Sequence, residues 1–321
     1  LKGRTVFLLL VRRDREAVAR CSLVLPRNGA PAEERRDHER VALFGFFECQ
    51  DDERAARLLF EHAEDLCRRN GVTALHGPFS PTTSGVTGIQ LDGFPEANVL
   101  YEACTPPWYR RLLDGCGYAV EKLGRTWRST TLREDMRDLL ARLPERPSRY
   151  RIRSVGLDEL RNGIGDLASV FDAAFRESWG REPMSLDEYF YVARFLLPAW
   201  RPESFQIVYD GAEPVGALLA VPDVNPVFLR SPRLPRVLAL WRARRLAMRS
   251  PALITFAMGL HPDYQHSAAG LLLARHTAGI AMRYDRMYST WITEGNTGSE
   301  RMASRFGLLP WKTFAVYRKD F

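Results

Sequence analysis

The sequence predicts an α/β (α+β) chain of two domains in tandem, each a central mixed β-sheet flanked by helices. Three observations predict it. Strand-like and helix-like periodicities alternate through both halves of the 321 residues. A proline-rich stretch, Pro144-Glu-Arg-Pro147-Ser148, separates the halves. Residues 253–273 read as a buried strand, a tight turn and the start of a helix. The expected boundaries are a first domain over 1–143, a linker over 144–149 and a second domain over 150–321. The length suits two domains of ordinary size, and an apolar content of 45% supplies a full core.

In the first half, Thr5–Arg12 and Val18–Leu25 read as a hairpin, and Arg27–Arg40 as a polar loop. Val41–Cys49 is a strongly apolar strand. Asp51 and Asp52 open a helix that runs to Arg69, with Ala56, Leu58, Leu59, Ala63 and Leu66 inward. Asn70-Gly71 ends it in a left-handed cap. Thr73–His76 is the next strand, and a Gly/Pro/Ser/Thr-rich loop follows to Phe94. A short helix over Pro106–Gly117 and a strand over Val120–Ser129 close this half.

A short helix, Met136–Arg142, precedes the linker. In the second half, Tyr150–Val155 is a strand and Asp158–Ser178 a helix. Ser185, with Glu188 three residues on, makes a capping box for Leu186–Leu197. Ser204–Tyr209 and Val215–Val221 form a hairpin through Asp210-Gly211. Val224–Phe228 follows and carries Asn225. Arg233–Arg249 is an arginine-rich helix, read either as a polyanion-binding face or as a solvated amphipathic surface. Then come the 253–273 segment, a strand over Met287–Thr293, a helix over Asn296–Phe306 and a last strand over Phe314–Arg318.

Composition excludes several classes. No apolar run approaches the ~18 residues that span a bilayer, so no membrane partner is expected. Five scattered cysteines without CxxC spacing point to reduced thiols, a cytoplasmic location and no metal. The six histidines follow no ligand or nucleophile spacing. No phosphate-binding Walker loop or dinucleotide fingerprint is present. The net charge of +7 favours an anionic partner in a general way.

The turn after Leu260 is the chief chemical feature. Small residues opening a helix leave backbone N–H groups without intrahelical partners, and the helix dipole adds positive potential. The pattern Leu260-x-Pro262-Asp263-Tyr264, then Gln265-x-x-Ala268-x-Gly270, resembles the acyl-CoA-binding segment of the GNAT-type N-acyltransferase superfamily. The first half is similar to a divergent form of the same domain, through Phe44-Gly45-Phe46-Phe47-Glu48, Gly77-Pro78, Asp92-Gly93-Phe94 and Pro106-Pro107-Trp108-Tyr109. It lacks the phosphate loop, and Pro78 has no N–H to offer. The resemblance covers nearly the whole chain.

The resemblance implies acetyl-CoA or another acyl-CoA as cofactor, with the pyrophosphate on Gln265, His266, Ser267, Ala268, Ala269, Gly270 and Leu271. It places the pantetheine arm along the Phe256–Leu260 strand, with Met258 and Leu260 among the cofactor-binding residues. Ala268 stands where the family carries glycine. Glu294, at the end of the Met287–Thr293 strand, is the expected base. Asn296 is expected either toward the cofactor or as a plain N-cap. Ala303 stands where the family carries its acid tyrosine, so Tyr317 or Tyr288 is expected in its place. Trp179, Asn225, Trp291 and Tyr109 are the expected substrate-pocket groups, against the alternative of core packing.

The expected activity is acyl transfer from acyl-CoA to the amine of a small molecule. Two alternatives stay open. One is an aminoacyl-tRNA-dependent peptidyl transferase of the tandem GNAT-like type, which uses tRNA and no CoA. The other is a non-catalytic ligand-binding protein.

Overall fold

The computed structural model describes residues 4–26, 40–80, 85–143, 149–157, 159, 164–176, 178–179, 184–231 and 233–321. The loop expected over 27–40 lies outside these residues except for Arg40, the linker expected over 144–149 except for Arg149, and the helix expected over 158–178 in part.

In chain order the elements are β1 (Val6–Arg13), β2 (Glu16–Val24), β3 (Val41–Cys49), α1 (Glu53–Arg69), β4 (Ala74–Gly77), β5 (Phe79–Ser80), β6 (Val86–Thr87), β7 (Ile89–Gln90), α2 (Tyr109–Gly115), β8 (Ala119–Ser129) and α3 (Leu132–Arg142). Then come β9 (Tyr150–Ser154), α4 (Ile164–Ala174), α5 (Leu186–Leu196), β10 (Phe205–Asp210), β11 (Glu213–Pro222), α6 (Asn225–Arg230), α7 (Arg236–Ala247), β12 (Ala252–Leu260), α8 (Ala268–Ala281), β13 (Arg286–Ser289), β14 (Ile292–Thr293), α9 (Thr297–Arg305) and β15 (Leu308–Asp320).

The chain forms two compact units. The first takes residues 1–97, 101–124 and 312–321, and the second takes 98–100 and 125–311. These bounds depart from the expected division at the proline-rich stretch. Residues 125–142 belong to the second unit because Leu132 and Met136 of α3 are buried in the core that α8 shares. Residues 312–321 belong to the first unit because β15 pairs antiparallel with β4, Tyr317 opposite Gly77.

In the first unit, β1, β2 and β3 pair antiparallel in sequence, and β3 runs parallel to β4. Asp52 caps α1 by accepting from the N–H groups of Arg54 and Ala55. The apolar stripe of α1 covers the sheet, and Phe60 meets Phe44 edge-on at 5.2 Å. Leu58 is not part of that stripe: it is exposed, and Phe60 and Cys67 are buried. Gly71 takes the left-handed φ of +66° that the Asn-Gly cap requires.

In the second unit, β9, β10, β11 and β12 pair antiparallel in that order, and β12 runs parallel to β13. Alternation along the strands builds two cores. Ile207, Ala217, Val221 and Ile254 face one core with α4 and α5. Their neighbours Val208, Leu218, Ala220 and Leu253 face the other, with α3 and α8. The Asp210-Gly211 turn closes the β10–β11 hairpin with Gly211 at φ +62°. Ser185 and Glu188 make the full capping box. Val224–Phe228 does not continue the sheet. Pro226 lies in the first turn of a short helix, α6, where its missing N–H is tolerated.

Candidate functional site

The site is set by how β12 leaves its neighbours. Opposite β11, Leu219 pairs with Ala257 and Ala220 with Thr255, so Phe256 is an extra residue, a β-bulge. On the other edge the parallel pairing with β13 ends at Thr255 and Ser289. Thr290 closes the junction: its N–H donates to the Thr255 carbonyl at 3.1 Å, and its Oγ1 donates to the Phe256 carbonyl at 2.8 Å. Beyond this point β12 continues to Leu260 along β11 alone. The strand residues from Thr255 to Leu260 are all half-buried. The bulge and the parting of β12 from β13 therefore fall at one residue.

At the far end of β12, the His261 N–H donates to the Val215 carbonyl at 2.8 Å. Pro262–Tyr264 make one 3₁₀ turn, and Ser267 caps α8. The Ser267 Oγ accepts from the Ala269 N–H at 3.1 Å and donates to the Tyr264 carbonyl at 2.7 Å. The Gly270 N–H donates to the Ser267 carbonyl at 3.2 Å. The N–H groups of His266 and Ala268 have no acceptor among the described residues. Both residues are exposed, as are Gln265 and Leu271. Ala269, in contrast, is fully buried in the core, and its N–H is already taken. The turn can thus offer an anion at least two open amides at the positive end of a helix of 14 residues.

Glycines let the helix approach the strand. A Cβ on Gly270 would lie 3.0 Å from Leu260 Cδ1, and one on Gly216 would lie 2.7 Å from Leu260 Cδ2. Leu260 fills the space these two glycines leave. Gly259 does the same for α4: a Cβ there would meet the Ala174 Cβ at 2.8 Å. Met258 lies against α8, with its Sδ 3.7 Å from the Thr277 hydroxyl.

The other expected residues divide into two groups. Trp179 and Trp291 are brought together, with ring centroids 5.9 Å apart. Trp291 directly follows Thr290, at the break between β13 and β14. Its indole N–H is buried with no partner among the described residues. Glu294 stands exposed in the turn after β14, and Asn296 caps α9 by accepting from the Ser299 N–H at 3.1 Å. The expected continuous strand over Met287–Thr293 is interrupted at Thr290-Trp291, beside the β12 bulge.

Four expected residues are held by packing or by hydrogen bonds. Tyr317 belongs to the first unit and is fully buried in its core, and burial pushes its hydroxyl up to about 12. That is a packed, solvent-shielded position, unlike the open one expected of an acid. Tyr109 also lies in the first unit's core, and its hydroxyl accepts from the Cys49 N–H at 3.0 Å. Asn225 is a structural clasp within the second unit. Its Nδ2 donates to the Asn98 carbonyl at 2.6 Å, and its N–H donates to Asp223 Oδ1 at 3.0 Å. The same Asp223 oxygen accepts from the Leu100 N–H at 3.0 Å, and burial raises its carboxyl above the ordinary range. Tyr288, the other expected acid, is buried at 5.0 Å from the Trp311 ring.

Sequence reasoning placed Phe256 at the start of the strand expected to carry the arm, but missed the bulge there and missed Thr290. A bulge leaves no local signature in an apolar strand, since it depends on the partner's register. Gly259 and Gly216 were findable, because glycine inside a strand marks a bulge or a close approach.

No family model matches the chain. Among proteins of known sequence it is 24% identical over 327 residues to "Bacterial ceramide synthase" of Caulobacter vibrioides, covering 98% of this chain and 83% of that one. It is 23% identical over 294 residues to "Protein YghO" of Escherichia coli, covering 86% of this chain and 73% of that one. Among solved structures it is similar to a tandem GNAT protein from the clavulanic acid biosynthesis pathway, with TM-score 0.56, 14% identity and coverage of 99% and 84% of the two chains. It is also similar to a GCN5-related N-acetyltransferase from Sphaerobacter thermophilus, with TM-score 0.50, 14% identity and coverage of 96% and 78%. The chain has a tandem GNAT-type fold.

Proposed function

We propose that this chain is an N-acyltransferase that takes its acyl group from acyl-CoA, with the second unit holding the cofactor. The observation that carries the reading is the coincidence at Phe256. A bulge, the end of β13 pairing and a half-exposed strand edge fall together, and the strand then leads to a turn with open amides. The donor set fits the cofactor. The His266 and Ala268 N–H groups suit phosphate oxygens, and the edge of Ala257–Leu260, which β13 does not pair, suits the amides of an extended arm.

An acyl-CoA supplies an activated thioester carbonyl, and an amine must meet it neutral and close. Glu294, in the turn that follows the strand break, would take the proton the amine loses as the C–N bond forms, and that proton can pass to the coenzyme A thiolate released as the C–S bond breaks. Asn296 fixes that turn by capping α9. Trp179 and Trp291 provide the apolar wall for the acceptor. The acceptor class we favour is a long-chain amine. Ceramide is the amide of such an amine, and the name of the Caulobacter relative supports an aliphatic acceptor that two adjacent, tilted indoles suit. The five free cysteines fit a reducing compartment, and we place the protein in the cytoplasm.

The test is a thermal-shift and calorimetric titration with acetyl-CoA, coenzyme A and bulk tRNA, since a ligand specific for the folded state raises its melting temperature. A shift with acetyl-CoA and coenzyme A is expected. Glu294→Gln then lowers kcat by about 10²-fold or more with CoA affinity kept, the range for loss of a general base. Binding of tRNA without any CoA response would refute the acyl-CoA reading.

A further inference from the structure

The helix α7 buries an unusual face. Its buried residues are Ala239, Ala243 and Ala247, one seam at successive turns. Its large apolar residues point outward instead: Val237 is 81% exposed, Trp241 52% and, just past the helix end, Met248 55%. At about 100° per residue these three fall on one stripe opposite the alanine seam. The seam is narrow because α7 packs closely on the turn Leu197–Ala199. The short helix α6 packs against α7 and adds exposed Phe228 and Leu229.

The segment that forms this surface carries charge of one sign. From Val224 to Pro262 the chain carries seven arginines and no aspartate or glutamate. Arg242, Arg245 and Arg249 flank the apolar stripe, all exposed, and the Arg245 guanidinium lies over the Trp241 ring at 4.8 Å. Arg244 differs: it holds the helix down through a hydrogen bond to the Trp200 carbonyl.

We propose that the α6–α7 surface docks this protein on an anionic lipid bilayer, with the Val237–Trp241–Met248 stripe in the interface and the flanking arginines on the headgroups. The layout is that of a helix lying in the membrane plane: an outward apolar stripe with tryptophan, bordered by basic residues. An RNA partner would use the arginines and leave Val237 and Met248 against water or phosphate. An anionic bilayer satisfies both features. No described helix is long and apolar enough to cross a membrane, so the contact is peripheral. This inference stands whether or not the β12–α8 turn binds acyl-CoA.

The experiment is co-sedimentation of the full chain with two kinds of vesicle, phosphatidylcholine alone and phosphatidylcholine mixed with phosphatidylglycerol. Sedimentation with the mixed vesicles, weakened by salt, is expected. Each arginine near an anionic surface is worth about fivefold in partition, so Arg242→Gln/Arg245→Gln lowers binding roughly 25-fold. Val237→Ser/Trp241→Ser should abolish it at moderate salt. All four side chains are exposed, so melting temperatures stay near that of the unsubstituted protein, and a large fall would call for Met248→Ser as the replacement apolar variant. Failure to sediment with mixed vesicles overturns the proposal, as does sedimentation that neither double variant changes. Two other results also overturn it: binding to an RNA oligonucleotide in place of vesicles, or a dimer in solution that the same variants dissociate.

Discussion

Replacing Ala268 with glutamate sets folding stability against cofactor binding. Ala268 is the first residue of α8, is exposed, and its N–H has no acceptor among the described residues. A carboxylate there meets the positive end of the helix dipole and stabilises the helix by about 0.3–1 kcal/mol. Glutamate is nearly as good a helix former as alanine, so little is lost in exchange. The melting temperature should hold or rise. The same carboxylate stands beside the amides proposed for the pyrophosphate. Two like unit charges about 4 Å apart repel by ~1 kcal/mol in water and ~4 kcal/mol near a protein surface. An exposed turn lies toward the lower end, so the expected penalty is about 2 kcal/mol, or roughly 30-fold in Kd for coenzyme A. Added salt should narrow the gap. Ala268→Gln, of the same shape and without charge, should keep most of the affinity. Calorimetric titration with coenzyme A, beside thermal melts, reads both quantities. Equal affinity in the glutamate, glutamine and unsubstituted proteins would refute the placement of the phosphate at this turn.

Other consequences lie in the first unit. Lys312 and Glu102 are both buried, and the Lys312 Nζ also donates to the carbonyls of Glu96 at 3.0 Å and Ala97 at 3.2 Å. Lys312→Met takes the cation from a buried carboxylate and should cost about 3–5 kcal/mol in urea unfolding, while Lys312→Met/Glu102→Gln should cost clearly less; a double variant no more stable than the single would contradict this. Burial and Arg318 lower His76 from 6.5 to about 4. The unfolded chain then binds more protons in that window, so stability is full above 6.5 and falls as pH drops toward 4, by up to about 3 kcal/mol. His76→Gln should flatten that part of the pH–stability curve, and an unchanged curve would rule the histidine out as its source. Among the five cysteines, Cys104 is exposed, while burial pushes the thiols of Cys21 and Cys67 up to about 12. Brief iodoacetamide treatment followed by peptide mass spectrometry should find Cys104 labelled first; equal labelling of Cys21 would contradict the buried placement.

What the sequence made legible was chemistry that completes itself within a few residues. The Asp210-Gly211 turn, the Ser185–Glu188 box, the Asn70-Gly71 cap and the strand–turn–helix over 253–273 each need only local backbone geometry, and each is in the structure. The site was legible to the same depth. Its turn was readable, but which amides stay open was not, because Ser267 turns its hydroxyl onto Ala269 and leaves His266 and Ala268 unmatched. The tyrosines show the limit from another side. Alternation puts Tyr317 on one face of a strand, yet nothing in β15 itself says that residues of α1 and α2 will close a core over that face.

The helix α7 carries the point further, because there the usual inference inverts. Counting apolar residues at helical spacing selects Val237, Leu240, Trp241 and Met248 as an inward face, yet all are exposed. What decided the packing was size rather than hydrophobicity. Only an alanine seam allows the approach to the turn Leu197–Ala199, and once Ala239, Ala243 and Ala247 are turned inward, helix geometry forces the larger residues out. Some of that outward face could be spent on covering charged surface with aliphatic stems, but the neighbouring charges here are arginines with their own solvated heads. An apolar stripe that the fold itself pushes outward, ringed by one sign of charge, is therefore set by packing constraints on its opposite side. Enlarging the seam tests that dependence: Ala243→Leu should destabilise the second unit by overpacking, about 1–3 kcal/mol in urea unfolding, whereas Trp241→Ser should leave stability within about 0.5 kcal/mol. The reverse order of effects would mean that the helix packs on its large residues after all.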